Sequence, residues 1–85
     1  MKTFEYVIAD ELGIHARPAG TLVKEAKKYE SKVIIQKGEK EVDATKLMAL
    51  MGMGVKCGDK IVVKVEGADE EKAAQELEAF IKANL

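Results

Sequence analysis

The 85 residues hold one histidine, His15, and it stands in the run Gly13-Ile14-His15-Ala16-Arg17-Pro18-Ala19. An imidazole is neutral or cationic near pH 7 and has two distinct ring nitrogens, so its surroundings decide whether it serves as nucleophile, base or cation. Two residues on, the Arg17 guanidinium is a planar, permanently charged binder of phosphate oxygens. Pro18 lacks an N–H and has its φ fixed, which suits the first turn of a helix and pushes Arg17 toward extended torsions. The N–H groups of Ala16 and Arg17 then have no helical acceptor and lie at the positive end of the helix dipole. A neutral ring nitrogen attacking phosphorus in line needs such donors and cations around the transferred oxygens. The combination therefore predicts a phosphoryl group held on His15, with Arg17 and the Ala16 and Arg17 amides as its partners. A plainer reading stands beside it, in which His15 caps the helix and Arg17 is a solvated charge.

Composition removes several other classes of function. With 14 basic and 15 acidic residues the net charge is −1, so no general attraction to nucleic acid is expected. Cys57 is the single cysteine, which excludes an internal disulfide and a multi-cysteine metal site. It reads as a small reduced side chain in a turn, and neither a metal nor a cofactor is expected. No apolar run approaches the roughly 18 residues of a membrane span, and Met1-Lys2-Thr3-Phe4 leads straight into patterned sequence rather than a signal peptide. A cytosolic protein without membrane insertion is expected, built as one domain over residues 1–85, since a chain this short has room for one core.

Seven elements must position the histidine. Phe4, Tyr6 and Ile8 alternate with Thr3, Glu5 and Val7, predicting a strand over about residues 2–8. Ala19, Leu22, Val23 and Ala26 recur at helical spacing within residues 18–28, with Lys24, Lys27 and Lys28 outside the stripe. Lys32 to Lys37 and Lys40 to Asp43 flank Gly38-Glu39, and a glycine at the first central position predicts a type II′ hairpin. Leu47, Met48, Leu50, Met51 and Met53 form a short helical patch ending at Gly52 and Gly54. Ile61, Val63 and Val65 alternate as a fourth strand. Asp69 is expected to cap a last helix, with Glu70 and Glu71 at its positive end and Ala73, Ala74, Leu77, Phe80 and Ile81 as its buried stripe. The order βαββαβα predicts an α+β protein of two layers, a sheet burying its apolar face under helices.

These residues carry a resemblance to a known family. The run from Gly13 to Ala19 is similar to the active-site signature of HPr, the histidine-containing phosphocarrier of the phosphoenolpyruvate-dependent sugar phosphotransferase system. Leu47-Met48-Ala49-Leu50-Met51-Gly52-Met53-Gly54 resembles the family's second-helix segment, and Gly67-Ala68-Asp69-Glu70 its turn into the last helix. The resemblance implies an open-faced sandwich with a four-stranded antiparallel sheet in the order 1-4-2-3 and three helices on one face. It also implies that enzyme I phosphorylates His15 on Nδ1, and that the group passes on to enzyme IIA domains of sugar permeases. Arg17 would stabilise the moving group and Pro18 would shape the helix start.

One small surface must then fit two partners, so contacts should surround His15 and stay reversible. Leu50 and Met53 are expected in the core, leaving Leu47, Met48 and Met51 as an adaptable apolar patch. Gly20 allows close approach, and Lys24 and Lys27 steer acidic partners, although a solvated helix face explains the lysines equally well. A relay needs no second copy, so a monomer is expected. The chain departs from the family pattern at Lys46, where many members carry a regulatory serine. A lysine offers no hydroxyl and cannot cap a helix, which puts serine-dependent control in doubt and leaves the capping to Thr45 or Asp43. The alternative to a sugar-system relay is a regulatory paralogue that signals through its helix surface.

Overall fold

The computed structural model describes residues 1–11 and 16–85. Its elements run β1 (Lys2–Val7), α1 (Ala16–Ala26), β2 (Lys32–Lys37), β3 (Lys40–Asp43), α2 (Leu47–Gly52), β4 (Lys60–Glu66) and α3 (Glu70–Asn84). The strands form one antiparallel sheet in the order β1-β4-β2-β3. Register sets which side chains go inward: Val63 of β4 lies between Phe4 of β1 and Ile35 of β2. Ile61, Val63, Val65, Val33 and Ile35 are buried on that face, as period-two alternation requires. Lys64 and Glu41 form an ion pair, as do Lys60 and Glu5, among residues that alternate with the buried ones.

Helices cover the apolar face. Ala19, Leu22, Val23 and Ala26 of α1, Leu50 of α2, and Ala73, Leu77 and Ile81 of α3 join the strand residues in a single buried cluster. The hairpin carries Gly38 at φ +60°, while no described residue other than glycine has positive φ, so Glu39 is on the ordinary side. That combination is the type II′ pattern expected from Gly38-Glu39. Met53 follows α2 with φ −67°, and Gly54 then turns to φ +66° with its N–H donating to the Met51 carbonyl. The left-handed residue that stops α2 is thus a glycine.

Three expectations about helix ends are corrected. First, α1 begins at Ala16 and ends at Ala26, two residues earlier at each end than the spacing predicted. Second, neither Thr45 nor Asp43 caps α2. The cap position is Lys46, in extended torsions and without a capping side chain. The Asp43 carboxylate instead accepts from the Thr45 N–H at 2.8 Å and the Thr45 hydroxyl at 2.6 Å, a local turn that competes with capping. Third, Asp69 occupies the cap position of α3 but makes no capping bond. Its carboxylate accepts the Ser31 hydroxyl and the Glu30 N–H. Ser31 is only 8 % exposed, so its hydroxyl needs a protein partner, and that need outweighs a cap that water can replace.

Candidate functional site at the start of the first helix

The site is built from the start of α1 outward. Ala16 and Arg17 are already helical, so the extended approach expected from Pro18 is not present at Arg17. Pro18 is the third helical residue rather than the first. The proline still costs no hydrogen bond there, because N–H groups of the first turn have no intrahelical acceptor. Pro18 and Ala19 are buried and seat the helix start on the core. The Thr21 hydroxyl donates to the Arg17 carbonyl at 2.9 Å.

Arg17 is exposed and lines a shallow depression of about 270 Å³ with Asp10, Pro18, Thr21, Ala83 and Asn84. A guanidinium presented there, at the positive end of the α1 dipole, attracts an anion. The last turn of α3 closes the other side, and the Ala9 and Asp10 N–H groups both donate to the Leu85 carbonyl at 2.7 Å. Sequence reasoning missed Asp10, Ala83 and Asn84. They reach Arg17 through tertiary packing, which no local spacing reports. His15 itself, with Gly13 and Ile14, lies outside the described residues.

The remaining partner candidates lie on α1, just past its end at Lys27, and on α2, which packs against α1. Leu50 is fully buried and Met53 is 4 % exposed, while Leu47, Met48 and Met51 are 40 %, 80 % and 38 % exposed. That division follows helical spacing, since Leu50 and Met53 share the inner side three residues apart. Gly20 is half-buried, and a Cβ placed on it would meet nothing within 4 Å. Lys24, Lys27 and Lys46 are exposed. Lys28 differs, because its ammonium is 2.9 Å from the Glu25 carboxylate. That ammonium is the main cause of a lowered Glu25 pKa, aided by the Tyr29 hydroxyl and opposed by burial. Among the described residues, the depression at Arg17 includes none from α2.

Among the described residues, no three His, Cys, Asp or Glu side chains gather into a metal-ligand group. No helix among the described residues is long and apolar enough to cross a membrane. Cys57 is exposed, with its sulfur 3.8 Å from the Ala9 carbonyl oxygen.

The family model described as "PTS HPr component phosphorylation site" matches residues 2–83. The phosphocarrier protein HPr of Mycoplasma genitalium is 39% identical over 85 residues, covering 99% of this chain and 97% of the relative. A solved mycoplasma histidine-containing phosphocarrier protein superposes with a TM-score of 0.93 at 34% identity, over 96% of this chain and 93% of the other. Crh of Bacillus subtilis, described as a catabolite repression protein forming a swapped dimer, superposes with a TM-score of 0.78. It is 31% identical over 94% of this chain and 92% of the other.

Proposed function

The chain belongs to the HPr family of phosphocarriers of the phosphotransferase system, and on that premise we propose that it accepts a phosphoryl group from phospho-enzyme I on His15 and passes it to enzyme IIA domains of sugar permeases. The family match over residues 2–83, which includes His15, Arg17 and Pro18, carries this reading. In the first transfer the lone pair of the neutral His15 Nδ1 attacks phosphorus, a P–N bond forms, and the bond to the donor breaks with its electron pair leaving on the donor. The second transfer reverses these roles against the IIA domain. Arg17 and the Ala16 and Arg17 amides hold the equatorial oxygens, which concentrate negative charge as the group moves. Pro18 sets the helix start.

Leu47, Met48 and Met51 supply the apolar contact, with Gly20, Lys24 and Lys27 alongside. Methionine's flexible thioether suits a patch that must accept two different surfaces in turn. Residues 1–85 act as one domain, in the cytoplasm and as a monomer, and light scattering at working concentration should give the monomer mass. Lys46 has no hydroxyl, so this reading includes no serine-dependent switch.

The decisive experiment incubates the protein with enzyme I and labelled phosphoenolpyruvate. An acid-labile, base-stable label is expected on the parent and none on His15→Ala. Equal labelling of the variant overturns the assignment. Onward transfer to a sugar-specific IIA domain separates the relay from a regulatory paralogue.

A further inference from the structure

We propose that Lys37, at the end of β2, is a positioning residue for the docking surface, holding the end of α2 and the segment that leaves β1 in one fixed relation. The inference rests on the relay reading above, because it concerns how that surface is presented to the phosphoryl donor. The Lys37 ammonium donates to the Gly54 carbonyl at 3.1 Å and pairs with the Asp59 carboxylate at 2.9 Å. Gly54 is the left-handed residue that stops α2, so its carbonyl reports directly where the exposed Leu47, Met48 and Met51 sit.

Asp59 leads the other way. Its carboxylate accepts the Lys56 N–H at 2.8 Å, which closes the turn over residues 56–59. Its carbonyl accepts the Ile8 N–H at 2.9 Å, and Gly58 donates to the Ile8 carbonyl at 2.8 Å. The turn is therefore bound to the residues that follow β1 and precede the depression at Arg17. The ammonium bridges the two groups of contacts from β2, across the short step of chain from Gly54 to Lys56. The Lys56 N–H and the Lys37 ammonium hold the Asp59 carboxyl below the ordinary carboxylate range, consistent with a carboxylate charged whenever the protein works.

Both side chains are 32 % exposed. A pair so open to water adds little to global stability, which lets its positioning role be read separately from folding. The variants are Lys37→Met, which keeps the stem and loses the charge, Asp59→Asn, their double, and Lys37→Arg. Amide hydrogen exchange at Gly54 and Gly58 is measured without any partner. Phosphotransfer from enzyme I is then followed as a function of carrier concentration.

Faster exchange at both glycines in Lys37→Met is expected, with the KM for the carrier raised about threefold and kcat kept. The double variant should be no worse than the worse single one, because the two residues act as a unit, and Lys37→Arg should restore both readouts. Unchanged exchange at Gly58 overturns the proposal, as does faster exchange with an unchanged KM. A raised KM with unchanged exchange also overturns it, since Lys37 would then touch the donor directly. If the parent accepts no phosphate, the relay reading fails and the positioning role fails with it, while the exchange data still decide whether Lys37 couples the two segments.

Discussion

At the scale of single residues, Arg17 and Gly67 lie at opposite ends of the range of expected effects. Arg17 is exposed at the rim of its depression, so truncation leaves the core untouched. In the proposed relay Arg17→Ala should slow transfer from phospho-enzyme I by roughly a hundredfold, the scale for losing one donor that faces developing charge. Its thermal midpoint should stay within about 2–4 °C of the parent, because surface changes away from packing are nearly neutral, within about 0.5 kcal/mol. A single-turnover rate beside a melting curve checks both halves. Gly67 is the reverse case. A Cβ built there would lie 2.5 Å from the Ser31 Cα and 2.8 Å from its hydroxyl oxygen. Backbone cannot swing aside as a side-chain tip can, so Gly67→Ala should destabilise the fold by about 1–3 kcal/mol through forced backbone shifts. Urea denaturation measures that loss, and phosphotransfer by the molecules that remain folded should be close to normal.

At the scale of elements, α2 shows what a pattern conveys and where it stops. The apolar run from Leu47 to Met53 has more large side chains than a short helix can bury, and its excess of apolar residues, read beside the family resemblance, divided them into Leu50 and Met53 inside and Leu47, Met48 and Met51 outside, the division the burial shows. The strands were equally legible, because burial alternates with the same period as the side chains. Helix ends were not. Whether Asp69 caps α3 depends on Ser31, which lies 38 positions away in the chain, and no local spacing marked that α1 begins at Ala16 rather than at Pro18. The strand order and the depression at Arg17 are tertiary facts of the same kind. The order came from the family resemblance, and Asn84 beside Arg17 was not foreseen. The division within α2 makes a paired prediction. Leu50→Ala should cost about 2–5 kcal/mol, since a fully buried leucine leaves a cavity that neighbours fill only in part. Met48→Ala, at a residue 80 % exposed, should leave the denaturation midpoint unchanged and raise the KM for the phosphoryl donor if the patch docks. A variant that destabilises as much as Leu50→Ala would place Met48 in the core and end that assignment.

At the scale of the whole molecule, carboxylates add polar ties between segments at the edge of the apolar core. Asp69 links the start of α3 to the connection between α1 and β2, and the Ser31 hydroxyl, followed by the Glu30 N–H, holds its pKa down. Asp43 braces the turn before α2 and is lowered chiefly by the Thr45 hydroxyl. Asp59, lowered first by the Lys56 N–H and then by Lys37, joins the turn over residues 56–59 to β2. Glu70, lowered first by the Met1 ammonium, ties the start of α3 to the chain's first residue. All four shifts have one sign, so their effects on folding accumulate. A carboxyl with a depressed folded pKa stabilises the protein fully above its unfolded pKa, near 3.8 for aspartate and 4.5 for glutamate, and loses that contribution as pH falls through the lower folded value. The thermal midpoint should therefore be flat with respect to these groups from neutrality down to about pH 5, then fall steadily below pH 4 as each carboxylate binds a proton. Asp69→Asn should shift the start of the fall less than it lowers the plateau, because it removes one such group and leaves Glu25, Asp43, Asp59 and Glu70. Melting curves between pH 2 and pH 7 test this directly. A midpoint that held steady through pH 3 would mean that these bonds form equally well with the protonated acids, and that the core alone fixes how the helices sit on the sheet.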